Sequence, residues 1–268
     1  MKKLAVIGAG NMGRAIIGGV INSGLISAEN IIVSDPFESC LECVMKDYAA
    51  KTTTDSKEAV KSADAVIFAV KPNVIGKILD DVKDVIDKEK IIISIAAATS
   101  IDAISEHIGS SNKIVRVMPN TPALVCEAMS ALSPNENVTD EDLQYVLSIF
   151  NSFGKAEVVA ESLMDSVVAV SGSSPAYVFM FIEAMADAAV LTGMPRAQAY
   201  KFAAQSVYGA AKMVLETGKH PAELKDMVCS PGGTTISAVE TLESYGFRNA
   251  VIQGQLACAE KSIEMAKK

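Results

Sequence analysis

The chain has 268 residues, half of them apolar, which is enough for about two domains with a substantial core. A formal net charge of −8 argues against nucleic acid or an anionic membrane surface as partner. Five scattered cysteines point to no disulfide framework, and the apolar stretches around 65–70 and 91–98, read as the longest, fall well short of a spanning helix.

Lys2 and Lys3 run directly into an apolar strand, Leu4–Ile7, which does not read as a signal peptide, so a soluble cytoplasmic protein is expected. Next come Gly8-Ala9-Gly10-Asn11-Met12-Gly13 and an amphipathic helix that stops near 22–24. In a dinucleotide-binding turn, Gly8 permits the tight bend, Gly10 lets backbone approach a pyrophosphate, and Gly13 lets helix and strand pack closely. The helix start then turns N–H groups and a positive end toward the phosphates. The strand before and the helix after supply the context this motif requires. The fold expected is α/β, a Rossmann-like dinucleotide-binding domain over 1–161 followed by an all-helical domain over 162–268.

A second strand at 31–33 ends in Ser34-Asp35-Pro36. An acidic residue there normally accepts ribose hydroxyls of NAD and repels a 2′-phosphate. Asp35 is near that position, but Ser34 precedes it with a hydroxyl that could take a phosphate. No arginine lies between 31 and 48, and Arg14 belongs to the first helix. Both NADP(H) and NAD(H) are therefore expected to serve, with modest discrimination. Cys40 and Cys43 form a CxxC within a helix at 37–48, with no second pair to make a metal site.

Further on, short strands at 51–54, 63–70, 91–95 and 113–118 alternate with helices at 55–61, 73–86 and 100–107. Continuous Val/Ile runs between helices mean a parallel sheet covered on both faces. A helix at 140–150 and a strand at 155–159 close this part. Beyond 161 no strand is expected. Helices at 174–192, 196–217, 221–229, 235–243 and 248–267 are rich in Ala, Gly and Met, and thin helices of this kind need a partner subunit as cover. His107 and His220 lie in no catalytic or metal-binding pattern and read as structural.

Ligands of open α/β sheets sit at the carboxyl ends of strands. Ala69, Val70, Lys71 and Pro72 end one strand and should touch the dinucleotide. Met118-Pro119-Asn120-Thr121-Pro122 ends another, with Asn120 and Thr121 offering polar groups to a nicotinamide carboxamide or a small substrate. Ser230-Pro231-Gly232-Gly233-Thr234-Thr235 precedes a helix and makes an anion cradle suited to a carboxylate. Capping by Thr234 or Thr235 is the plainer reading of the threonines. The turn Ser171-Gly172-Ser173-Ser174-Pro175 is a similar candidate.

Taken together, GAGNMG at the start, Ala69–Pro72, Met118–Pro122, Ser171–Tyr177 and Ser230–Thr235 resemble the pyrroline-5-carboxylate reductase family, in order and spacing over nearly the whole chain. The resemblance implies the last step of proline synthesis, in which hydride moves from NAD(P)H to the imine carbon of a cyclic substrate. It places the substrate carboxylate on Gly232, Gly233 and Thr234, with Ser230 and Ser171 nearby, and a hydroxyl at the ring nitrogen, here Thr235. It also implies a homodimer through interleaved C-terminal helices, assembled into a larger ring such as a decamer. A β-hydroxyacid dehydrogenase would need a lysine in the 174–192 helix, which has none. A non-enzymatic dinucleotide sensor would not need the 230–235 loop.

Overall fold

The computed structural model describes residues 2–266. Eight strands form one sheet: β1 (Leu4–Ile7), β2 (Ile31–Ser34), β3 (Lys51–Thr53), β4 (Ala65–Phe68), β5 (Ile91–Ser94), β6 (Lys113–Met118), β7 (Ala128–Pro134) and β8 (Gly154–Val158). Their order is β3-β2-β1-β4-β5-β6-β7-β8. All neighbours are parallel except β6 and β7, which run antiparallel. Helices α1 (Asn11–Asn22), α2 (Glu38–Tyr48), α3 (Ser56–Lys61), α4 (Pro72–Val82), α5 (Ile101–Ile108) and α6 (Asp140–Asn151) connect them.

Alternation along the strands explains their unbroken apolar composition. Leu4 and Val6, Ala65 and Ile67, Ile91 and Ile93 pack with α1, α2 and α6 on one face. Ala5 and Ile7, Val66 and Phe68, and Ile92 pack with α3, α4 and α5 on the other. Burying such a side chain contributes roughly 1.5–3 kcal/mol, so both faces must be covered for the sheet to persist. Side-chain caps fix several helix starts: Asp55 accepts from the Lys57 N–H, Ser100 from that of Ala103, and Thr139 from that of Asp142.

Strand β7 was not expected. Its sequence, Ala-Met-Ser-Ala-Leu-Ser-Pro, lacks the β-branched run that marks the other central strands, and pairing with β6 and β8 overrides that weak propensity. The expectation that the longest apolar stretches fall well short of a spanning helix also needs correction. A helical run, Glu161–Leu191, is long and apolar enough to cross a membrane by length and composition, with a mean hydropathy of 1.4 over an 18-residue window. Ser and Gly residues interrupt its apolar stretches without lowering the average enough to matter.

The chain divides into two compact units: one from the start of the described chain to Ser173 together with the chain from Cys258 onward, the other Ser174–Ala257. In the first, α7 (Met164–Val167) leads into a π-helical turn, Val168–Gly172. Ser262, near the chain's end, donates to Asp165 at 2.6 Å. The second unit contains α8 (Ser174–Leu191), α9 (Arg196–Thr217), α10 (Pro221–Val228), α11 (Thr234–Ser244) and the first part of α12 (Phe247–Ala266). Its only buried apolar residues are Ala186, Ala199, Ala203 and Leu224, while Phe179, Met180, Phe202 and Leu215 are exposed. Large apolar side chains outside and alanines inside is the pattern of a unit whose core is completed by another surface.

Candidate active site

The glycine turn lies at the carboxyl end of β1. Gly8 has φ +108°, which favours glycine, and a Cβ there would collide with the Ala69 carbonyl. A Cβ on Gly13 would strike the carbonyl of Gly8. At Gly10 it would meet nothing within 4 Å. Two glycines are thus dictated by packing, and the third leaves an open cradle. Gly10 is the N-cap of α1 and makes no side-chain cap, so the N–H groups of Asn11, Met12 and Gly13 have no partner within the helix. An open backbone surface backed by a positive helix end fits the pyrophosphate of a dinucleotide.

Two further loops meet this turn. The Ala69 N–H donates to the Ile7 carbonyl at 2.8 Å, which brings Ala69 and Val70 against Gly8 and Gly13. Lys71, at the N-cap of α4, and Pro72, its first residue, are exposed on the same rim. On the other side, the Gly8 N–H donates to the Ser34 carbonyl at 2.7 Å. Asp35 is buried; it accepts from the Ala9 N–H at 2.8 Å and the Phe37 N–H at 2.9 Å. The Ser34 hydroxyl is also buried, 3.1 Å from that of Ser56. Arg14 forms an ion pair with Asp47 at 2.8 Å, near the far end of α2, and is not at the end of β2.

Asn120 differs from expectation. Its Nδ2 donates to the Ser171 carbonyl at 3.0 Å and its Oδ1 accepts from the Met129 N–H at 2.9 Å, so the side chain ties the β6 turn to the π-helical turn. Ser171 lies in that turn and donates its hydroxyl to the Val167 carbonyl at 3.1 Å. Turns of this π type recur at functional sites. Nothing in the sequence marks the commitment of Asn120, because its partners are backbone groups 9 and 51 residues away.

In the second unit, Ser230-Pro231-Gly232-Gly233 forms a tight turn. Pro231 precedes Gly232 at φ +67°, and the Gly233 N–H closes the turn on the Ser230 carbonyl at 3.0 Å. Gly233 therefore contributes through its shape; its amide, expected to hold a ligand, is already engaged. It is also the N-cap of α11, with no side-chain cap. Thr234 and Thr235 are the first two helical residues, and their hydroxyls do not cap the helix. The helix-start amides from Thr234 onward and the two hydroxyls remain as polar groups for an anion.

The other candidates have ordinary roles. His107 Nδ1 lies 3.2 Å from an Asp80 carboxylate oxygen, and His220 caps α10 by accepting from the Ala222 N–H. Cys40 and Cys43 are both free on α2.

Comparison with known proteins finds two family matches, and the one nearer the chain's end begins before the boundary between the compact units. Residues 161–265 match the family described as pyrroline-5-carboxylate reductase dimerisation, and residues 3–98 match NADP oxidoreductase, coenzyme F420-dependent. The pyrroline-5-carboxylate reductase of Escherichia coli (strain K12) is 53% identical over 266 residues, covering 99% of each chain. That of Methanosarcina acetivorans is 46% identical over 267 residues, covering 100% of this chain and 99% of its own. The crystal structure of Plasmodium falciparum pyrroline carboxylate reductase with NADP bound is similar with a TM-score of 0.89 at 35% identity, covering 99% of this chain and 98% of that one.

Proposed function

This chain belongs to the pyrroline-5-carboxylate reductase family, and from that membership we propose how its own residues reduce pyrroline-5-carboxylate to L-proline, the last step of proline biosynthesis. The first unit binds the nicotinamide cofactor, NADP(H) or NAD(H). The amides of Asn11, Met12 and Gly13 face its pyrophosphate above Gly10, with Gly8, Ser34, Asp35, Ala69, Val70, Lys71, Pro72 and Asn120 shaping the surrounding loops. When bound, the reduced nicotinamide supplies the hydride that the imine carbon receives.

The second unit binds the substrate through the Ser230–Thr235 loop. The Gly232 N–H and the α11 amides from Thr234 onward hold the carboxylate, Gly233 shapes the turn beneath it, and the Thr235 hydroxyl hydrogen-bonds the ring nitrogen. An imine nitrogen takes its proton from water before reduction, so no strong general acid is required, and catalysis is mainly positioning. The observation that carries this reading is the Pro-Gly-Gly turn ending in a helix start that no side chain caps. A structural turn would need neither the exposed amides nor two uncommitted threonine hydroxyls.

The functional division is proposed at 161/162, supported by the dimerisation match over 161–265. The exposed apolar helices are proposed to meet a second copy, giving a homodimer and then a larger ring such as a decamer, in the cytoplasm. Spectrophotometric assay of the purified protein with pyrroline-5-carboxylate tests the activity. Substrate-dependent oxidation of NADPH is expected, and its absence at saturating substrate would overturn the reading.

A further inference from the structure

Asp35 stands where dinucleotide-binding folds place the acid that selects NAD over NADP. Its surroundings give it another task. The residue is 8% exposed, and its two carboxylate oxygens take different backbone donors: Oδ2 the Ala9 N–H inside the glycine turn, Oδ1 the Phe37 N–H after β2. A carboxylate bridging two N–H groups is stabilised by charge-assisted bonds and has little reason to turn outward toward a ribose. The adjoining backbone reinforces the clamp, since the Ser34 carbonyl accepts from Gly8 and the Asp35 N–H donates to the Thr53 carbonyl.

We propose that Asp35 is a positioning residue for the cofactor, pinning the glycine turn to the β2–α2 turn, and that it does not discriminate against a 2′-phosphate. The inference rests on the dinucleotide reading of the glycine turn. It follows that Asp35 contributes to the affinity of NADPH and NADH alike, by holding the Ala9 peptide so that the amides of α1 face one point. Loss of the clamp lowers the fraction of molecules with a competent turn, and apparent affinity falls by that fraction.

The test uses Asp35→Asn and Asp35→Ala in the full chain, with NADPH and NADH titrated by calorimetry. Asparagine keeps the shape but turns a donor toward one of the two N–H groups. Both dissociation constants should rise by about tenfold, with their ratio within about threefold of wild type. The Michaelis constant for cofactor should rise while kcat at saturating cofactor stays within about twofold. Hydrogen exchange should quicken in peptides covering residues 8–13 and 35–37 and not throughout the chain, as general destabilisation would produce. Selective tightening of NADPH by about tenfold or more in either variant would overturn the proposal, because it would reveal an acid that had been repelling the phosphate.

A measurement on the wild-type protein covers the case in which the variants do not fold. Adenosine 2′,5′-bisphosphate should bind at least as tightly as 5′-AMP, and weaker binding of the bisphosphate would again reveal a repelling acid. Binding of neither NADPH nor NADH to the wild-type protein would instead refute the dinucleotide reading itself.

Discussion

Replacing Gly10 by alanine separates folding from cofactor binding. Gly10 has φ −69° and ψ −175°, backbone that any residue adopts, and its added Cβ meets no atom within 4 Å. Removing a glycine from the unfolded chain favours folding by roughly 0.4–1 kcal/mol. Alanine is a poorer N-cap than glycine by several tenths of a kcal/mol. The two effects nearly cancel, so Gly10→Ala should melt within about 0.5 kcal/mol of wild type. The methyl group nevertheless fills the space that the proposal assigns to the pyrophosphate. Charge-assisted hydrogen bonds contribute roughly 1.5–3 kcal/mol each, so loss of one weakens NADPH by about 10- to 150-fold. Calorimetric titration beside a thermal melt measures both quantities. The reasoning fails if Gly10→Ala binds NADPH within about threefold of wild type. Gly8→Ala is the contrasting control: its positive φ and its contact with the Ala69 carbonyl should cost several kcal/mol in the same melt.

Two other predictions concern stability alone. Ser130 is wholly buried, its Oγ has no hydrogen-bond partner, and it alternates with Ala128 and Leu132 on the core side of β7. Ser130→Ala should therefore stabilise the protein by about 1 kcal/mol in chemical denaturation. Asp142 is buried between Lys2 at 2.7 Å and Lys113 at 2.9 Å. Burial alone would raise its pKa, but hydrogen bonds from Lys2, Lys113 and Thr139 outweigh that and hold it far below the usual carboxylate range. A depressed folded-state pKa contributes stability above the unfolded value, near 4, that is lost as pH falls toward the folded value. Asp142→Asn should cost about 2–3 kcal/mol at neutral pH, and the difference from wild type should shrink below about pH 4.

The sequence was most legible where one residue type has a single physical task. At Gly8 and Gly13 an added Cβ would strike backbone and at Gly10 it would meet nothing, as the sequence suggested, because chain reversal and helix packing are local demands. Strands β1, β4 and β5 were equally plain, since burial on both faces leaves only apolar residues. The turn at Ser230–Gly233 could be read from Pro and Gly alone, but the engaged Gly233 amide could not. Polar side chains with distant partners were opaque for the same reason. Asp35, Asn120 and Ser34 look like ligand groups in the sequence, and only the fold shows their donors and acceptors meeting Ala9, Met129 and Ser56. Strand β7 escaped because alanine and serine carry little strand preference, and its pairing is set by neighbours.

The most direct test of the account is kcat/KM for pyrroline-5-carboxylate in Thr235→Ala and Thr235→Ser. The Thr235 hydroxyl does not cap α11, so its removal should leave folding, assembly and NADPH binding as in wild type. As hydride reaches the carbon, a lone pair forms on the protonated ring nitrogen and accepts from the Thr235 hydroxyl, so loss of this donor lowers kcat and kcat/KM together. Removing one positioned donor costs about 10²–10³ in buried oxyanion sites, and water filling the gap moderates this to roughly ten- to a hundredfold for alanine. Serine, which restores the hydroxyl, should recover most of the rate. Wild-type kcat/KM in the alanine variant would show that Thr235 takes no part in the reaction and would contradict the assignment of the Ser230–Thr235 loop.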